Sequence, residues 1–117
     1  MVLRASAESA KLEANLKALI DPSVPSGIPE GQVLLAFCDA LLEAEVDELD
    51  ASREALLEAL GAAGLLGAVA IASNFSRNDR IANATGIPLE ADFVKQSEDF
   101  RQALGINDFK SARNTLG

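Results

Sequence analysis

The chain contains no histidine, no tryptophan and no tyrosine, and it has one cysteine and one methionine. Each absence excludes a class of chemistry. Without histidine there is no Ser-His-Asp triad, no Cys-His pair, no imidazole general base and no histidine-ligated metal. A single cysteine, Cys38, leaves no internal disulfide and no CxxC redox pair. Aromatic residues are 4% of the chain, all of them phenylalanine, so alanine and leucine have to fill the core. Basic residues are scarce: 10 Lys and Arg stand against 18 Asp and Glu, a net charge of −8. Nucleic-acid recognition needs clustered cations, so no nucleic-acid partner is expected.

What is present is globular in kind. The 117 residues are 49% apolar and 24% charged, which suits one domain with a real core. The acids are concentrated: residues 1–60 carry 12 acidic and 4 basic side chains, whereas residues 61–117 carry 6 of each. The stretch 43–58 reads as a solvated acidic face, or alternatively as a docking surface for a basic partner. It lacks the spacing of a calcium loop, and no metal or cofactor is expected. The longest apolar run, 59–72, includes three glycines. It is shorter than the ~20 residues of a membrane span and reads as a buried core helix. With no apolar leader after Met1, a cytoplasmic location and no membrane partner are the expectation.

Hydrophobic periodicity is helical nearly throughout, and no alternating strand pattern is found. The predicted architecture is an all-α, five-to-six-helix orthogonal bundle in one domain. It comprises an N-terminal helix within 1–20, a proline-rich connector over 21–29 and a helical core over 30–117. The first helix is predicted from Ala7 to Ile20. Three prolines and a glycine between Asp21 and Pro29 then impose an ordered, extended connector. A second helix begins near Glu30, with Leu34, Phe37, Cys38, Leu41 and Leu42 inward. The segment 45–50 reads as a turn or frayed end. A third helix begins at Asp50 or Ser52, either of which is a good N-cap. Gly61 and Gly64 predict either a break or close helix–helix approach. A fourth helix runs to Thr85, where Gly86 and Pro88 stop it. A fifth spans 90–104, and Asn107 caps a short last helix.

Two sets of residues are candidates for chemistry. At the end of the fourth helix the sequence turns from apolar to Ser73-Asn74-Phe75-Ser76-Arg77-Asn78-Asp79-Arg80. Asn74, Arg77, Asn78 and Arg80 supply amide and guanidinium donors suited to a carboxylate or oxyanion, that is, a small acidic ligand. The same donors also suit anchoring of a helix end, because buried polar groups need partners. Cys38, on an apolar stripe beside Asp39 and without a histidine, reads as a packing residue. Acid pairs such as Asp39 with Glu43 lie on an exposed face and lack the desolvation that general acid–base work needs.

The segment 74–90, Asn-Phe-Ser-Arg-Asn-Asp-Arg-Ile-Ala-Asn-Ala-Thr-Gly-Ile-Pro-Leu-Glu, resembles the C-terminal helix motif of the alkylhydroperoxidase D-like, or carboxymuconolactone decarboxylase-like, superfamily. Pro29-Glu30 followed by Leu34-Leu35-Ala36-Phe37 is similar to the helix that precedes it, so the resemblance covers about residues 28–95. It implies an all-α fold that oligomerises. In peroxidase members the chemistry resides in a CxxC pair with a nearby histidine, and the decarboxylase branch also uses a histidine. This chain has neither. The resemblance therefore implies a non-catalytic helical homo-oligomer, with a small acidic ligand or a protein as partner. Two alternatives remain: an enzyme with a divergent site around Arg77–Arg80, with Asp79 moving a proton, or a thiol peroxidase acting through Cys38 with an external resolving thiol.

Overall fold

A computed structural model describes residues 10, 13–43 and 46–117. The described residues form helices, 3₁₀ turns and loops with no strand among them, so the protein is all-α. A 3₁₀ turn, Leu16–Leu19, comes first. It is followed by α1 (Gly31–Glu43), α2 (Val46–Thr85), α3 (Ala91–Gln96) and α4 (Glu98–Ala103). Two further 3₁₀ turns, Ile106–Asp108 and Lys110–Ala112, lead into α5 (Arg113–Leu116).

The N-terminal helix expected from Ala7 to Ile20 is not continuous. Glu13 to Asn15 are non-helical, and only the single turn Leu16–Leu19 forms, capped by the Asn15 side chain on the Lys17 amide at 3.1 Å. Residues 7–9, 11 and 12 lie outside the described residues. The connector is non-helical and held in place, but it is not extended as expected: hydrogen-bonded turns close Asp21–Val24 and Ile28–Gly31, and Gly27 is left-handed at φ 74°. Gln32, on the first turn of α1, reaches back to it. Its side-chain oxygen accepts from the Ser26 amide at 3.1 Å, and its Nε2 donates to the carbonyls of Pro22 and Val24 at 3.2 and 3.1 Å. Helix α1 starts after Glu30, whose φ of 54° is a left-handed conformation uncommon for a non-glycine residue. Gly31 follows because a Cβ there would collide with the Ser26 hydroxyl.

Helix α2 starts at Val46, four to six residues before the predicted start. The acids read as a turn, Asp47 and Glu48, occupy its first turn, where negative charge favours the helix dipole. Ser52 is inside the helix and donates back to the Leu49 carbonyl rather than capping it. At Gly61 the backbone takes φ 70° and ψ 179°, which splits α2 into two arms, 46–60 and 62–85. That conformation is essentially confined to glycine. The second arm ends at Thr85, with Gly86 left-handed at φ 65° as the sequence predicts. The helix expected over 90–104 is interrupted at Ser97, giving α3 and α4. Beyond it, Asn107 lies inside a 3₁₀ turn and caps no helix.

Helix α1 packs on α2, and Phe37, Ala40 and Leu56 are buried, as is Ala18 of the first turn. These four are the only buried apolar side chains among the described residues. The second arm of α2 is where the sequence reading of a buried core helix fails. Only 6% of the most apolar 18 residues of α2 are buried. Leu66, Ile71, Phe75 and Ile81 are more than half exposed. Over 62–72 the arm is apolar all round, but it is left largely uncovered. The radius of gyration, 15.4 Å, exceeds the ~13 Å of a compact chain of this length.

Candidate functional site

The polar end of α2 is a surface feature. Asn74, Arg77, Asn78 and Arg80 are all exposed. Two of them meet: Arg77 Nη2 donates to Asn74 Oδ1 at 2.7 Å, a link between residues one turn apart. The principal cavities are lined by other residues, so in one copy these donors do not converge on an enclosed site. Ser76, one turn before Arg80, is partly covered, and Asp79 is exposed beside it.

Cys38 is half-buried on α1. Burial pushes its thiol pKa up, and the adjacent Asp39 carboxylate adds to the effect. Both causes disfavour the thiolate that peroxide reduction requires. Among the described residues no three His, Cys, Asp or Glu side chains converge on one point.

The most enclosed polar chemistry lies elsewhere, around Arg101 on α4. Arg101 is 8% exposed, and Ser97, one turn earlier, is 4% exposed. The guanidinium ties three elements together. Its Nε donates to Ser97 Oγ at 2.9 Å, Nη2 to the Val94 carbonyl at 2.8 Å and Nη1 to Asn107 Oδ1 at 2.6 Å. Ser97 Oγ in turn donates to the Phe93 carbonyl at 2.5 Å. The break between α3 and α4 and the turn that follows are therefore organised around one buried cation. Asn107, expected to cap a helix, instead accepts from that cation.

Arg101 also borders a cavity of ≈ 200 Å³ between the end of α2, α4 and the C-terminal turns. The cavity is half-open, and two of its lining segments are tied together where Thr115 Oγ1 accepts from the Leu89 amide at 2.8 Å. Sequence reasoning missed this site. A signal was present: Ser97 and Arg101 fall on the same helical stripe as Phe93, Val94, Phe100 and Leu104, where a polar pair four residues apart is out of pattern.

Comparison with family models, curated proteins and solved structures finds no match.

Proposed function

We propose that this chain is a non-catalytic helical homo-oligomer that completes its bundle by packing the second arm of α2 against other copies. The observation that carries this reading is the exposure of that arm. Leu66, Val69, Ile71, Phe75 and Ile81 are 39–69% exposed on one helix, and its most apolar part is almost wholly unburied. Monomeric proteins rarely leave a contiguous apolar surface of more than a few hundred Å² in water. Charge favours the same arm. The acidic first arm repels its own copies, whereas residues 61–117 carry equal numbers of acids and bases. The resemblance of 74–90 to the alkylhydroperoxidase D-like motif supports an oligomerising bundle of that type. The missing histidine and CxxC pair leave its peroxidase chemistry without a catalyst.

A membrane is the competing neighbour for so apolar a helix, since α2 is long and apolar enough to cross one. The kink argues for protein instead. Beyond Gly61 the unbroken apolar stretch is 62–72, about 16 Å at ~1.5 Å per residue. That is roughly half the ~30 Å hydrocarbon thickness. A cytoplasmic oligomer follows as part of this proposal.

Replacing Leu66 and Ile71 together by lysine tests it. Both side chains are more than 60% exposed, so the monomer fold loses little. The expected result is dissociation to monomers with the helical circular dichroism kept. An unchanged oligomer would refute an interface on this arm. Partition of the unaltered chain into neutral lipid vesicles, absent in the double variant, would show that the arm meets lipid and overturn the proposal.

A further inference from the structure

We propose that the cavity beside Arg101 is a binding site for a small organic monocarboxylate, with the buried guanidinium as its counter-ion. Three observations converge on it. The first is the charge. Arg101 is 8% exposed, and its three hydrogen bonds end on a hydroxyl, an amide oxygen and a backbone carbonyl. All three acceptors are neutral, so none of them cancels the cation. Taking a charge out of water is costly unless an opposite charge meets it. A guanidinium has five N–H donors. Three have partners here, which leaves one on each terminal nitrogen without a partner among the described residues.

The second observation is the lining. Arg101 is the one ionisable side chain around the cavity. In a chain of net charge −8, no carboxylate side chain in the wall offsets that cation. Asn83, Asn114 and Ser111 add donors, and Ile87, Ile106 and Phe109 supply an apolar wall. This pairs an anion hole with an apolar recess, which suits a carboxylate carrying a short hydrocarbon group. One guanidinium balances one negative charge and matches the planar fork of a carboxylate, so a monoanion fits better than a phosphate dianion.

The third observation is size. At ≈ 200 Å³ the cavity is below the ~300–1,000 Å³ of drug-sized sites. That favours a ligand smaller than a drug, such as a single-ring carboxylate. The acidic ligand that the sequence suggested for Arg77 and Arg80 thus has a half-open recess about twenty residues further on, at Arg101. This inference does not depend on assembly through α2.

Benzoate and its neutral counterpart benzamide provide the test, titrated into the full ¹⁵N-labelled chain at constant ionic strength. Benzoate should produce saturable shifts of the Arg101 Nε–H resonance and of the Leu89, Asn107 and Thr115 amides below about 10 mM. Benzamide should bind at least about tenfold more weakly. Arg101→Lys should weaken benzoate about tenfold, because the planar fork is lost. If that variant does not fold, Asn83→Leu decides. It replaces an amide donor on the cavity wall with an apolar side chain and keeps the cation, so it should weaken benzoate by about threefold or more while benzoate stays preferred over benzamide. The proposal is overturned if benzoate gives no saturable shift up to about 50 mM, if benzamide matches it, or if Asn83→Leu leaves the affinity for benzoate unchanged.

Discussion

Cys38 and Arg101 are both partly or wholly withdrawn from water, and they respond to it in opposite ways. The Cys38 thiol stays neutral because burial and Asp39 both oppose its ionisation. A group whose pKa is raised in the fold contributes stability below its ordinary pKa and loses it as pH rises through the raised value. Cys38 should therefore leave stability unchanged near neutrality and lower it on the alkaline side. Cys38→Ala should remove that alkaline loss. Denaturant unfolding of both proteins across the alkaline range measures it, and identical pH profiles would contradict the assignment. Alkylation of Cys38 at neutral pH should likewise be slower than that of a free thiol, by about tenfold. Arg101 cannot neutralise itself and recruits three oxygens instead. The sequence shows Cys38 on an apolar stripe, and its burial was legible there. For Arg101 only the out-of-pattern pair with Ser97 was legible; its partners Val94 and Asn107 are assembled by a helix break that periodicity does not reveal.

At the scale of elements, punctuation was the most legible feature. The proline connector and the stop at Thr85 follow from residues that restrict the backbone directly. The start of α2 was less so. A cluster of acids looks like a turn by composition, yet Asp47 and Glu48 stabilise a first helical turn. Gly61 was ambiguous between a break and a close approach, and the structure shows the break. Its φ of 70° with ψ of 179° is strained for any residue with a Cβ, although a Cβ there would meet nothing within 4 Å. Gly61→Ala should therefore destabilise the kinked form by about 1–3 kcal/mol through the backbone alone. Urea unfolding of the variant checks this. Equal or greater stability would mean that the kink is not required. Gly64 differs, because an added Cβ would press on the Leu60 side chain across the kink, whereas Gly67 faces open space.

For the whole molecule, apolar residues were expected to be buried, and many are not. Sequence pattern identifies a helix that needs covering on every side; it carries no information on whether the cover comes from the same chain. Four buried apolar side chains among the described residues are few for a chain that is 49% apolar. The exposed residues include a run on α2 beyond Gly61, others at the C-terminal end, where Ile87 and Phe109 are 64% and 65% exposed, and Leu42 and Val46 around the start of α2. Acidic repulsion over the first arm weakens in salt, so assembly through the second arm should tighten as ionic strength rises. The most direct measurement is the molar mass of the full chain by light scattering during size exclusion, at tens of micromolar. Assembly through α2 predicts a mass at least twice the 12.2 kDa of one chain, persisting or increasing at higher salt. A single species at 12.2 kDa would contradict it.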